Sequence, residues 1–455
     1  MRLLRNFSIF LILTLGFMFP GLTAVQNSVS LAEFCRVDLG FSIESSPAGG
    51  NWPMFRQNDK RTGIATSLPE VVYVGSDNLN LHAIATENCR EAWSFPVGGA
   101  VRSSPAVEVD AIGQDLAIYF GSDDANLYAV SPEGQHLWQY APNINLDSNG
   151  DLRAPGVIRS SPMLFLNENY FLSFDPDNPP NVSQFQLTPD FPLGNSLIIG
   201  SDDGHFYGVQ TGGRELIRVP SLQSGVEVFH GAYRNTPVFY EDAREKFLIA
   251  GSLERVLFAA RTQGVIFDSQ GSFDQSFVDK GWEVFLDGPV AAYTALGENG
   301  AVYAATDIGT LYSVRAADGV EQWRVRLNGD IHGSPAIGRL GTIFLGTDAG
   351  IMHAIRPNGT PLCSFRVLGP DGRANTGDEA LFGIRSSAAI TPNGLVIFGA
   401  NDGYLYIIDE DTCQLRASFK TNGPIVSSPL VAIDGNEMRV MFGSGDGKFY
   451  ILSVN

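Results

Sequence analysis

The residues of this chain best placed to do chemistry are cations that recur at one point of a repeated phrase. Arg102, Arg159, Arg234, His332 and Arg385 each precede a small pair, in "VRSSPAV", "IRSSPML", "YRNTPVF", "IHGSPAI" and "IRSSAAI". Arg61 in "RTGIA" stands fourteen residues ahead of a glycine, as His332 and Arg385 do, and reads as a sixth member. Val426 fills the position in "IVSSPLV", and "PVAAY" offers Ala291. Brought together in a chain of net charge −19, such a ring would focus positive potential and could hold a small anionic ligand, a carboxylate or a phosphate. The alternative is structural: the same arginines would hydrogen-bond carbonyls and pair with acids of neighbouring repeats.

Oxygen ligands are a weaker second signal. Asp147, Asn149 and Asp151 have the D-x-N-x-D spacing that opens a calcium loop. Leu152 then replaces the glycine, and Ile158 stands where the bidentate glutamate belongs. Asp371, Asn375, Asp378 and Glu379 form a looser cluster. Both are calcium candidates, with solvated turns as the plainer alternative. The cysteines Cys35, Cys89, Cys363 and Cys413 lie too far apart for metal-site spacing and suit disulfides of an oxidising compartment. Three pairings are open, and Cys35 can reach Cys89 or Cys413. Nucleophile elbows, metalloprotease motifs, Gly-rich phosphate loops and paired histidines are missing in any fitting context.

The elements that position these residues announce themselves by repetition. "IIGSDDGHFYGV" (Ile198–Val209) recurs, edited but ungapped, as "YVGSDNLNLHAI", "YFGSDDANLYAV", "IAGSLERVLFAA", "YAATDIGTLYSV", "FLGTDAGIMHAI", "IFGANDGYLYII" and "MFGSGDGKFYIL". Each copy reads as a β-hairpin whose turn residues tolerate positive φ. The "SSPAV" segment precedes it, and an outer strand follows, as in "EAWSF", "HLWQY" and "EQWRV" with Trp93, Trp138 and Trp323. Ile217, Phe267, Cys363 and Ala417 take comparable outer-strand positions elsewhere. Four short antiparallel strands repeated radially make an all-β, eight-bladed β-propeller of four-stranded blades. The chain ends after the third strand of its last blade, so an N-terminal strand should close the ring, placed around "NWPMFRQ" (Trp52–Gln57).

The setting follows from the ends and the composition. Residues 1–24 read as a secretory signal peptide: Arg2 and Arg5, an apolar run, then Leu22-Thr23-Ala24. Residues 25–51 are expected to be an N-terminal extension, and 52–455 a single propeller domain. With 44% hydrophobic and 17% charged residues the chain can bury a large core. Its acidity argues against nucleic acid as a partner. The expected product is an exported monomer, periplasmic or extracellular, without a membrane span once the signal is cleaved.

The hairpin, the "SSPAV" strand, the outer-strand tryptophan and "WPMFRQNDKRTG" resemble the pyrroloquinoline quinone (PQQ)-like β-propeller repeat family, over nearly the whole mature chain. That family includes dehydrogenases holding PQQ and Ca²⁺ over the axis, and also non-enzymatic scaffolds. The resemblance therefore implies the fold and leaves two functions. The adjacent cysteine pair typical of the large dehydrogenases is missing here, and their calcium and catalytic carboxylates have no convincing counterpart. The favoured reading is a non-catalytic scaffold that binds a protein partner and needs no cofactor; the alternative is a PQQ- and calcium-dependent alcohol or sugar dehydrogenase. Its working face should carry the cation ring and the long loops after blades two, three, four and six, with Trp282 in "DKGWEVF" as an exposed contact anchor. A further insertion, "NENYFLSFDPDNPPNVSQFQLTPDFPLGN", interrupts blade three on the opposite face.

Overall fold

Each copy of the phrase supplies the two middle strands of a four-stranded antiparallel sheet. Blade two shows the plan with Ala106–Val109, Asp115–Gly121, Leu127–Val130 and His136–Tyr140 in that order from axis to rim. Eight blades of this kind arranged around one axis form an all-β, eight-bladed β-propeller; six are four-stranded sheets, one has a fifth strand, and one has three strands plus a single bridge at Ala48. This computed structural model describes residues 29–49, 64–65, 67–110, 114–142, 156–165, 196–213, 215–219, 232–242, 246–261, 280–373 and 382–455. The signal-like residues 1–24, the insertion in blade three, and Asp147, Asn149, Asp151, Asn375, Asp378 and Glu379 lie outside them. No helix among the described residues is long and apolar enough to cross a membrane.

The repeated residues do distinct work. The hairpin glycine packs against the next blade: a Cβ on Gly121 would lie 2.4 Å from Ile158, and one on Gly443 2.1 Å from Ile43. Its N–H donates to the first serine of the small pair, as from Gly121 to Ser103 Oγ at 3.1 Å and from Gly443 to Ser427 Oγ at 3.1 Å. The second serine accepts from the preceding blade. Ser46 N–H donates to Ser104 Oγ, Ser104 N–H to Ser161, Ser387 N–H to Ser428, and Ser428 N–H back to Ser46 Oγ. This belt pairs backbone groups that burial would otherwise strand. The second acid of "SDD" binds the tyrosine four residues on, in Asp124–Tyr128, Asp203–Tyr207, Asp402–Tyr406 and Asp446–Tyr450. Buried aliphatic faces fill the gaps between blades, such as Ile397, Leu405 and Ile407 against Val431, Val440 and Phe442.

The ring closes differently from expectation. Leu31–Asp38, not Trp52–Gln57, is the outer strand of blade eight, antiparallel to Lys448–Val454 with Cys35 opposite Ile451. Residues expected to form a separate extension are thus part of the propeller. Leu31–Asp38 alternates half-buried and exposed positions as an outer strand must, whereas residues 50–63 are not described. "IESSPAG" then supplies the inner segment of blade one: Ala48 bridges Tyr73, and Gly75 N–H donates to Ser45 Oγ at 3.1 Å. Ile64–Ala65 adds a parallel fifth strand at the inner edge of blade eight.

At the rim, six of the eight outer strands are pinned to the next blade in one of two ways. The indole N–H of Trp93, Trp138, Trp282 and Trp323 donates to the carbonyls of Pro132, Thr211, Ala316 and Pro357, at 2.7–2.9 Å. Each ring lies over a left-handed glycine, Gly134, Gly213, Gly319 or Gly359. At two joints a disulfide takes over, Cys35–Cys89 and Cys363–Cys413, each with Cα atoms 5.8 Å apart. Cys35 and Cys363 hold the tryptophan's register, one residue from the same β-bulge, and Cys89 and Cys413 hold the left-handed turn position. Trp282 is therefore no exposed anchor. It lies in the outer strand Lys280–Phe285 of blade four, 8% exposed, where Phe267 was expected. A glycine of the next turn and a carbonyl acceptor draw it inward.

Candidate functional site: the channel mouth

The hairpin turns and the starts of the inner segments share one face and surround the axis. Here the cations meet a second set of residues, the first acid of each "SD" turn. Arg102 Nη1 binds Asp123 at 2.6 Å, while its Nε lies 3.1 Å from Asp77 and 3.4 Å from Glu44. Arg159 grips the same Asp123 at 2.8 and 3.1 Å. Arg234 forks onto Asp202, and Arg385 onto Asp348. His332 Nε2 stands 3.1 Å from Asp348. Hydrogen bonds from Arg159 to Asp123 and from Arg385 to Asp348 raise the pKa of both guanidiniums above the arginine norm.

A rule connects the two columns: a base stands in a blade when an acid stands in the turn of the blade before it. Asp77 precedes Arg102, Asp123 precedes Arg159, Asp202 precedes Arg234, Asp307 precedes His332, and Asp348 precedes Arg385. Leu253 precedes Ala291, Asn401 precedes Val426, and Gly445 precedes Glu44. Bidentate, half-exposed pairs of this kind fix one hairpin against the next start segment.

This corrects two expectations about the ring. Glu44, not Arg61, occupies the column in blade one, because "IESSPAG" rather than "RTGIA" is the inner segment there; Arg61 itself lies outside the described residues. The ring is also not an excess of positive charge. Arg102, Arg159, Arg234 and Arg385 face Glu44, Asp77, Asp123, Asp202, Asp307 and Asp348, so the described mouth leans acidic. The matching acids were legible in the sequence as the residue two after each hairpin glycine.

Just below the cations, Tyr293 replaces the second serine in blade five. Its hydroxyl reaches past blade four to Ser161, 3.0 Å from Oγ and 3.3 Å from the donating N–H. This crowding, with every arginine fork already taken by an aspartate, does not fit a quinone acid seated over the axis. The four cysteines are all in disulfides between blades, and no three His, Cys, Asp or Glu side chains cluster as metal ligands among the described residues. Asp371 is placed in the turn after blade six, where it accepts a hydrogen bond from Arg373 N–H at 2.9 Å.

Residues 273–455 match the family described as outer membrane protein assembly factor BamB. Its fold is the PQQ-like repeat β-propeller. Among solved structures, BamB from Moraxella catarrhalis superimposes with a TM-score of 0.55 at 13% identity, over 93% of this chain and 97% of that one. Saccharomyces cerevisiae Sqt1 gives a TM-score of 0.59 at 10% identity, covering 94% and 98%. The computationally designed Ika8 protein gives 0.56 at 13% identity, covering 90% and 99%. No curated protein sequence matches the chain. At these identities the chain shares an architecture with its structural neighbours, and function must be argued from its own surface.

Proposed function

We propose that this protein is an exported, non-catalytic PQQ-like propeller that docks a protein partner on the face bearing the channel mouth. The observation that carries this reading is the self-satisfied mouth: the guanidiniums that would grip a substrate or cofactor acid are spent on aspartates of adjacent blades. What the same face offers is rigid backbone with apolar side chains standing out from it, including Phe41, Leu79, Phe285 and Ile308. Such side chains on a stiff frame suit protein contact better than catalysis. The name of the matched family, an assembly factor of outer membrane proteins, agrees with a scaffold working beyond the cytoplasm. So do the two disulfides and the signal-like N-terminus.

The test places a photo-crosslinking residue singly at Leu79 or Phe285 on the mouth face and at Leu340 on the opposite face, in the native host. Crosslinked protein adducts from the mouth face are expected. Adducts from Leu340 alone would overturn the docking face, and saturable one-to-one binding of PQQ with Ca²⁺ would overturn the non-catalytic reading.

A further inference from the structure

Resting on that docking face, a narrower inference concerns the sector between blades four and five. Three positions that are polar in most of the repeats are apolar together in this sector. Leu253 replaces the first acid of the blade-four turn, Ala291 replaces the base that would pair with it, and Ile308 replaces the second acid of the blade-five turn. The chemistry of the hairpins does not require this, since five other joints keep their acid and base. Phe285, the last residue of the outer strand Lys280–Phe285, extends the stripe to the rim with 73% of its surface exposed. Ile308 is 36% exposed, and a Cβ on Gly288 would lie 2.7 Å from its Cγ1, so it lies over the loop that follows Phe285.

That loop is held firmly. Leu286 N–H donates to Arg255 O at 2.8 Å, Val290 N–H to Ser252 O at 2.9 Å, and Asp307 N–H to Pro289 O at 2.8 Å. The stripe therefore runs from rim to axis on a fixed base, and little ordering entropy would be lost when something covers it.

Acids border it. Asp307 has no cation within 4.0 Å among the described residues, and its carboxylate accepts the Ala291 N–H at 3.4 Å. Asp287 accepts the hydroxyls of Thr306 and Thr310 at 3.1 and 2.6 Å, with Arg326 only at 4.0 Å. Glu254 is exposed beside Leu253. The nearby Arg234 is already held by Asp202.

We infer that this stripe receives a segment of a protein partner that presents an apolar side chain next to an arginine or lysine. The apolar group would cover Phe285 and Ile308, and the cation would meet the Asp307 carboxylate, which accepts only the Ala291 N–H within hydrogen-bond distance among the described residues. A second copy of this chain fits poorly, because it brings the same acidic surface at net charge −19.

Three fluorescent peptides of equal length, built on Leu/Arg, Ser/Arg and Leu/Glu, are titrated into the full protein and followed by anisotropy. The Leu/Arg peptide is expected to bind at least about tenfold tighter than either other, and Phe285→Ser with Ile308→Ser to remove that advantage, as loss of a contact anchor does. Leu340→Ser, on the opposite face, should leave it unchanged. Equal binding of Ser/Arg and Leu/Arg, or no effect of Phe285→Ser in a protein of unaltered melting, would overturn the inference. In the crosslinking experiment above, adducts from Phe285 must map to a partner peptide containing arginine or lysine. Adducts from Leu79 but not Phe285 would sink the stripe and leave the docking face standing, whereas adducts from Leu340 alone would sink both.

Discussion

Removing the disulfide that closes the ring should be costly in a calculable way. Cys35 and Cys89 are 54 residues apart, and they join the closing strand of blade eight to the turn between Asn80–Ala85 and Arg90–Pro96 of blade one. A loop of that length loses chain entropy worth about 4 kcal/mol at 25 °C when cross-linked in the unfolded state. A Cys35→Ser, Cys89→Ser variant forfeits that term but keeps the strand ladder from Leu31 to Asp38 against Val454 to Lys448. The expected loss is therefore about 3–4 kcal/mol, a large part of the ~5–15 kcal/mol that natural domains possess. Urea unfolding followed by tryptophan fluorescence, with midpoint and slope fitted together, measures it. Cys363 and Cys413, 50 residues apart, provide the comparison: the entropic term is nearly the same, so their Ser/Ser variant should lose a similar amount. A loss below about 1 kcal/mol for the closing pair would show that unfolded-state entropy does not govern this joint, and would refute the reasoning.

Two further outcomes follow from the rim and the hairpins. Gly134→Ala places a Cβ 2.7 Å from the Trp93 ring at φ +79°, and should cost at least about 1–2 kcal/mol in thermal or urea unfolding. Gly435→Ala, at φ +57° with nothing within 4 Å of the new methyl, should cost clearly less. Burial, and secondarily the charge of Arg366, lowers the pKa of the His353 imidazole to about 4. Its folded value lies below the ordinary 6.5, so the unfolded chain takes up the proton first. The stability tied to the neutral ring is complete above pH 6.5 and falls as the pH drops towards 4, by at most about 3 kcal/mol. His353→Phe, which adopts the residue blade four uses at that position, should flatten this part of the stability–pH curve; an unchanged slope between pH 6.5 and 4 would contradict the assignment.

Repetition made the architecture legible because a propeller writes its packing rules once per blade. The glycine that must admit the next blade, the serine that accepts its N–H and the tyrosine that meets the second acid all recur at fixed spacing. A reader of sequence alone can thus place eight hairpins and the column of bases. The closing strand escaped for the opposite reason. Leu31–Asp38 makes its partners at the far end of the chain, some four hundred residues away in sequence, and local pattern does not record which distant edge a strand will cover. In "IESSPAG" Glu44 breaks the column by type while keeping it by place, so the column by itself points to Arg61.

The chemistry of the mouth marks the same division. The sequence by itself determined that bases recur at one position and acids at another, and that four cysteines and five tryptophans are available to a β-rich chain. Only the tertiary structure decided that Arg159, Arg234 and Arg385 are spent on the acid of the preceding blade, that Arg102 spans Asp77 and Asp123, and that His332 turns to Asp348 of its own blade, because such pairings depend on how neighbouring blades meet. Only it showed that Cys35 and Cys363 occupy the register of a tryptophan, that Trp282 turns inward, and that Leu253, Ala291 and Ile308 meet in one sector. Charge balance and exposure belong to surfaces assembled from several blades, and a linear pattern carries the ingredients of such a surface without carrying its neighbours.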